Sequence, residues 1–561
     1  MLTRRDFMQV TAATATLLGG APFHKLAAQQ KITQKKLLEF TPLGQVTLLN
    51  FTDCHAQLMP LYFREPSMNY GVGFARGLPP HITGKDFLNY FNLKTGSPEA
   101  YAFSSVDHVA LSNAYGKVGG MAHMATLINA IRADRSKNTL LIDCGDTWQG
   151  SYSSLQTRGE DMVDVMNAMG VDLMTAHWEF TYGANRVKEL IKKLNFPFLA
   201  ANVTDTEWEE PVFKDIVYFE RGGIKIGVIG QAFPYTPIAN PRYMIPDWSF
   251  GIQEEKIRAN IKKAKAGGAE LIVLASHNGF DVDRKLASRV DGIDVILTGH
   301  THDAIPGVIK VKNTLLIATG SHGKFLGRLD LEVKNKKITK FNYKLIPILS
   351  EAIKPDPKIT KIIKKVRAPF EEKLNTVLGK TNSHLYRRGN FNGTFDDVIN
   401  QAIMEERDTQ ISLSPGFRWG ATLLPGQDIR VEEVFSQTAI TYPAVYRNEM
   451  TGKFLKEILE DVGDNLFNPD PYYQQGGDMV RVGGMGYQFD INKKIGSRVS
   501  DMTLLKTGEK IDPTNTYIVG GWASINEATE GPAIYDVVSN YIKRKKSISI
   551  KENTAVKIVG T

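Results

Sequence analysis

The chain has 561 residues, 42% of them hydrophobic and 23% charged, with a formal net charge of +8. It is long enough for more than one domain and a large core, and the balance is that of an ordinary folded protein, which excludes a disordered or fibrous chain. The positive excess is mild and forms no dense basic run interleaved with aromatics, which argues against nucleic acid and for an anionic substrate or acidic partner.

The first segment, "LTRRDFMQV" followed by "VTAATATLLGGA", sets twin arginines (Arg4, Arg5) before a short apolar run and small residues at Ala27 and Ala28. This order predicts a cleaved twin-arginine export signal over residues 1–30 and a periplasmic mature protein. No later apolar stretch reaches membrane-spanning length. The two cysteines, Cys54 and Cys144, could pair in an oxidising compartment. Both sit inside ligand-type motifs, so buried free thiols are the preferred expectation.

"GQVTLLNFTDCH" reads as a buried strand ending in polar residues. Between Leu61 and Lys117 Gly, Pro, Asn and Tyr are frequent and periodicity is weak, which predicts a lid or binding loop. Helices are expected in "GGMAHMATLINAIRAD", "GEDMVDVMNAMG", "NRVKELIKKL" and "EKIRANIKKAKAGG". Strands are expected in "NTLLIDCGD", "VDLMTAH", "FPFLAAN", "IKIGVIGQA", "AELIVLASHNG" and "GIDVILTGHTHD", then a polar strand pair in "NKKITKFNYKLIPI". This alternation predicts an α/β domain with its site at the strand ends. "DPKITKIIKKVRAPFEEKLNTVL" reads as one exposed amphipathic linker helix, and a second α/β unit follows.

Four apolar strands end in ligand-type clusters: "TDCH", "CGDTW", "ASHNG" and "TGHTHD". A fifth cluster, "TAHWEFTYG", follows another apolar run. Asp53 with His55, and His300 with His302, are two apart, and strand alternation would aim each pair at one locus. Glycines before Asp146 and His300 would allow sharp turns. Mixed imidazole and carboxylate donors suit Zn, Mn or Fe.

The ordered series "DCH", "GD", "AHWE", "SHNG" and "GHTH" resembles the calcineurin-like dinuclear metallophosphoesterases, and the two-domain plan resembles the periplasmic 5′-nucleotidases over nearly all of the mature chain. The resemblance implies an α/β protein with a four-layer αββα sandwich domain over residues 31–350, a linker helix over 351–378 and a 5′-nucleotidase-like substrate-binding domain over 379–561. It implies Asp53, His55 and His302 at one cation, Asp146 bridging, and His177, His277 and His300 at the second. Where that family spells Gly-Asn-His-Glu, this chain spells Ala176-His177-Trp178-Glu179. His177 then stands at an asparagine ligand's place. Trp178 stands at that of a histidine assigned to transition-state stabilisation or leaving-group protonation.

Two adjacent cations activate water and clamp an oxyanion. An alkoxide leaves poorly unless protonated, and general acid catalysis is worth about 10²–10⁴-fold. A thiolate or persulfide needs little such help, so the ligand set without the histidine favours an S-sulfonate. "AHWEFTYG", the twin-arginine signal, the insert before "YGKVGG" and "LSPGFRWG" resemble the SoxB family of thiosulfohydrolases. That resemblance implies a monomeric enzyme with two divalent ions, Mn²⁺ first and Zn or Fe as options. Its water would attack the terminal sulfonate of a cysteine-S-thiosulfonate on the C-terminal arm of the SoxYZ carrier, releasing sulfate. Arg418 is then either a donor fork for the sulfonate or an interdomain salt bridge, and Trp178 and Tyr182 either line a narrow channel or pack. Glu179 is expected to anchor a ligand histidine. "VGGWASINEATEGPA", with Trp522, lacks the Asp-Gly-Tyr element of the nucleotidases' base sandwich. The alternatives are a 5′-nucleotidase or cyclic-nucleotide phosphodiesterase, a non-catalytic carrier-binding scaffold, and a redox role for Cys54 and Cys144.

Overall fold

The computed structural model describes residues 32–560, so the export signal expected over residues 1–30 lies outside them. Two sheets pack face to face in the N-terminal domain. The first has five strands in the spatial order 337–347, 325–334, 46–51, 139–143 and 173–174. The second has six, in the order 309–311, 314–318, 295–298, 271–276, 224–231 and 216–221. Strand alternation explains the layering. Leu48, Leu140, Val273 and Val295 face inward into one core between the sheets. Their neighbours Leu49 and Leu141 face helices Met121–Asp134 and Glu160–Met169, and Leu274 and Ile296 face helices Glu254–Ala266 and Phe280–Arg289. The result is an αββα sandwich whose central strands are buried on both faces, which is why they read as continuous apolar runs, while the edge strands 337–347, 309–311 and 216–221 are partly exposed.

The C-terminal domain is also α/β. Its four-stranded sheet runs 445–451, 516–522, 411–416 and 478–483. Helices Thr394–Arg407 and Ile534–Lys545 pack on each other and bury Phe395, Ile399, Val538 and Ile542.

Several elements differ from the sequence reading. The stretch 61–117 is not loop throughout, for it holds helices Gly84–Tyr90, Pro98–Phe103 and His108–Tyr115. Helices of about two turns or fewer give too few residues for periodicity to register. "VDLMTAH" keeps only Leu173–Met174 as strand, and "FPFLAAN" makes isolated bridges at Phe198 and Leu199. "NKKITKFNYKLIPI" supplies one strand, Lys337–Pro347, whose partner Phe325–Lys334 precedes it. The linker helix breaks: Pro357–Arg367 gives way to a 3-10 turn at Ala368–Phe370, where Pro369 cannot continue the ladder. Nor is it fully exposed, since Ile359 and Ile363 bury against the N-terminal helices.

Candidate metal centre

The ligand-type residues lie one to four positions beyond strand ends, in loops hydrogen-bonded to one another. Asp53 N–H donates to Gly145 O (2.8 Å), His55 N–H to Asp146 O (2.8 Å), and His300 N–H to the Asp53 carboxylate (3.0 Å). Asp53, His55, Asp146, His300 and His302 all adopt positive φ, between 46° and 76°. It is this left-handed backbone, not strand alternation, that turns each pair of side chains inward. For non-glycine residues such conformations cost roughly 1–3 kcal/mol, and sites are where they cluster. Gly145, at φ 95°, turns the chain as expected. Gly299 serves another purpose, since a side chain there would run into Thr52 and His277.

The donor atoms form two groups with one member in common. Those of Asp53, His55, Asp146 and His302 lie within 4.8 Å of one another, as do those of Asp146, His177, His277 and His300. All but His300 are buried, and His300 is partly so. All seven residues proposed from the sequence as metal ligands are therefore brought together, with Asp146 between the two groups.

Each histidine rests its far nitrogen on an oxygen. His55 Nδ1 lies 3.3 Å from Gln149 O, His277 Nδ1 2.6 Å from Cys144 O, and His302 Nδ1 3.2 Å from Arg418 O. His300 Nε2 lies 2.7 Å from Gln475 O, and His177 Nε2 3.1 Å from Asn240 Oδ1. An acceptor at one ring nitrogen fixes the proton there and leaves the other as a lone-pair donor. The inner nitrogens of His177 and His277 sit 3.2 and 3.0 Å from Asp146 Oδ2. Carboxylates and oriented imidazoles, buried and converging in two groups, fit two divalent cations.

The carboxylates and imidazoles of the cluster shift one another's charge. Burial lowers His277, but Asp146 and Asp53 outweigh it and hold the imidazole up to about 10. Burial pushes Asp53 up to about 6 against the pull of His277, whereas His177 and His277 hold Asp146 well below the carboxylate range despite its burial. Burial and neighbouring imidazoles drive His300 and His302 far down, so both are neutral ligands in waiting.

A cavity of about 330 Å³ opens onto this cluster, lined by His55, His177, Trp178, Asn240, Phe417 and Arg418 among others. Trp178 is buried at its wall, edge-on to Trp419 at 4.8 Å and Phe417 at 5.4 Å and parallel to Tyr442 at 6.1 Å, and its backbone N–H donates to Asp146 Oδ1 at 2.7 Å. Tyr182 is not at the cavity. The 3-10 turn Trp178–Tyr182 sends it back into the core, where its hydroxyl meets Ser154 Oγ (2.9 Å) and the Trp148 carbonyl (3.1 Å). Tyr182 therefore packs and lines no channel at the cluster, which is the second of its two expected roles. Arg418 lines the cavity while bound to Asp478 Oδ1 (3.1 Å) and, across the domain boundary, to Thr301 O (2.8 Å). It therefore stands at the cavity wall and in an interdomain tie at once.

Glu179 anchors backbone rather than a histidine ring. Its carboxylate accepts from the amides of His177 (2.8 Å), Thr147 (2.6 Å), Trp148 (3.1 Å) and Asp146 (3.3 Å). Cys54 and Cys144 are buried free thiols, and burial beside Asp143 and Asp53 pushes both far above the thiol range. Sequence reasoning missed Asn240, Gln475 and Phe233, which packs 4.1 Å from both His177 and His300. It also passed over His322 in "GSHGK". That ring lies 5.6 Å from His55, but its nitrogens are taken up by Ser321 Oγ and the Gly420 amide.

A metallophosphoesterase sandwich with an Asp/His cluster at its strand ends, capped by a second α/β domain, is the architecture of the 5′-nucleotidase class of hydrolases. The family described as "5′-nucleotidase, C-terminal domain" matches residues 376–536. The snake venom 5′-nucleotidase of Naja atra is 25% identical over 443 residues, 69% of this chain and 79% of the relative. Among solved structures, the sulfate thiohydrolase SoxB of Thermus thermophilus is 34% identical with a TM-score of 0.91, over 93% of this chain and 98% of that one. A 5′-nucleotidase precursor from the same organism, 21% identical at a TM-score of 0.73 over 92% and 100%, shares the fold. The chain belongs to the SoxB family, within the 5′-nucleotidase and calcineurin-like metallophosphoesterase superfamily.

Proposed function

We propose that this protein is a periplasmic thiosulfohydrolase that releases sulfate from a cysteine-S-thiosulfonate on the arm of a SoxYZ-type carrier. The observation that carries the reading is Trp178: the residue on the cavity wall beside the cluster is an indole, with no proton to give at neutral pH. Membership of the SoxB family supports it. The segment around Trp522, which lacks the Asp-Gly-Tyr element of the nucleotidases' base sandwich, supports it too.

In the reaction, the oxygen of water bonds to the terminal sulfonate sulfur. The S–S bond breaks with its electron pair going to the sulfane sulfur, which stays on the carrier, and sulfate and two protons are released. Two divalent cations, Mn²⁺ by preference, held by Asp53, His55, His302, Asp146, His177, His277 and His300, would supply Lewis acidity and water activation. The chain's own residues do the rest. The oxygens behind the five imidazoles keep donor nitrogens aimed at the cluster. Arg418, fixed by Asp478 and Thr301, brings a guanidinium to the wall of a cavity that takes an anion. The indole of Trp178 suits a persulfide leaving group, which departs unprotonated.

The test is to incubate Mn²⁺-loaded protein with thiosulfonated carrier and, separately, with AMP. Sulfate from the first without appreciable phosphate from the second is expected. Phosphate release with no sulfate would replace this reading by a 5′-nucleotidase.

A further inference from the structure

Four of the five cluster histidines rest their far nitrogen on a backbone carbonyl: Gln149 O, Cys144 O, Arg418 O and Gln475 O. His177 alone rests on a side chain, Asn240 Oδ1 at 3.1 Å. Both partners are 3% exposed and stand at the wall of the cavity. Asn240 stands 63 residues further along the chain, at the end of the short helix Thr236–Ala239, and the N–H of Asn240 itself caps that helix by donating to Thr236 O at 3.0 Å. Pro241 follows, fixing the backbone beyond it.

We infer that Asn240 is a positioning residue for the second cation: it holds His177 with its proton on Nε2 and its Nδ1 lone pair toward Asp146. The inference rests on the dinuclear reading of the cluster but not on the identity of the substrate. A backbone carbonyl accepts at these places whatever side chain its residue carries. At His177 the same function depends on one replaceable amide. On the inner side Asp146 Oδ2, 3.2 Å from Nδ1, would share the cation with that nitrogen, and the remaining contacts, with Phe233, His300, His277 and Trp178, are ring against ring and cannot choose between the two nitrogens. Without an acceptor at Asn240, the Nδ1–H form, which carries its proton where the cation must bind, becomes the competitive tautomer. Only the group of Asp146, His177, His277 and His300 contains this ring, so the loss is confined to one of the two positions.

Two substitutions separate positioning from packing. Asn240→Asp keeps an oxygen acceptor of the same shape, and Asn240→Leu removes it at similar volume. Titration of the metal-free full chain with Mn²⁺, with bound metal counted by elemental analysis, is expected to show Asn240→Leu weakened about 10–100-fold at one of two sites. Asn240→Asp should retain both sites. Full affinity at both sites in Asn240→Leu, equal loss at both, or equal loss in the two variants would overturn the inference. Should Asn240→Leu fail to fold, the Zn²⁺-loaded wild type still decides. Nitrogen-15 spectra of its histidine rings should place the His177 proton on Nε2, and a proton on Nδ1 would refute the assignment. Neither readout involves turnover, so failure here leaves the sulfate-against-phosphate test standing, and the reverse.

Discussion

Glu179 is wholly buried, and its carboxylate gathers four amides from the two loops that carry Asp146 and His177. Burial raises its pKa while those amides pull it back. Glu179→Gln turns one acceptor oxygen into a donor facing other donors. It is expected to lose about 2–3 kcal/mol, read as a lower urea midpoint at unchanged slope; an unmoved midpoint would mean the amides find other partners. Trp178→His places an ionisable ring where the cavity wall carries an indole. It should raise phosphate release from AMP relative to wild type, by up to the ~10²–10⁴-fold a general acid supplies, while costing about 3 kcal/mol of packing against Trp419 and Phe417. Unchanged phosphate release in a folded, metal-loaded variant would remove Trp178 as the discriminating residue. These side chains also show what a sequence discloses. The seven cluster residues were legible because each stands just past an apolar run, and loops at strand ends converge in an α/β sheet. Asn240 was not, because its partner is 63 positions away and only the path of the segment after strand Ile224–Gln231 joins them. Which of Tyr182's two roles holds was hidden for a related reason: a 3-10 turn reverses side-chain direction within four residues.

Among the elements, the long buried strands were legible from their apolar runs, whereas two-residue strands and six-residue helices fall below what periodicity resolves. The linker helix Pro357–Arg367 is held at both ends. Asp356 caps its N-terminus by accepting from Ile359 N–H at 2.9 Å, and Arg367 at its C-terminus grips Glu432 of the C-terminal domain through two bonds. Asp356→Ala is expected to cost about 1 kcal/mol, measured by thermal unfolding. Helix Thr394–Arg407 carries a pH-dependent burden. Burial, with Asp396 beside it, pushes Asp397 up from 3.8 to about 7. The folded state therefore binds this proton more tightly than the unfolded chain, so stability falls as pH rises from about 3.8 to about 7 and stays low above. Asp397→Asn should raise the melting temperature at pH 8 and leave it unchanged at pH 3.5. Equal effects at both would show that the carboxyl is not the cause.

Across the whole molecule, the insert over 61–117 straps the two domains together. It pairs Tyr62 with Thr422 and takes the Asn390 side chain on the Tyr70 amide, and Met68, Tyr70 and Val72 pack on the C-terminal core. On the N-terminal side the insert is tied by a buried Glu65–Lys324 ion pair and by His81 to Asp281 at 2.6 Å. Calorimetry is accordingly expected to show one unfolding transition for both domains; two resolved transitions would refute that coupling. The carbonyls behind His300 and His302 have a consequence of their own. Gln475 O and Arg418 O belong to the C-terminal domain, while the rings they orient belong to the N-terminal one. Occupancy of the centre and contact between the domains are then linked quantities. By reciprocity, whatever factor the closed interface adds to cation affinity, a bound cation adds to closure.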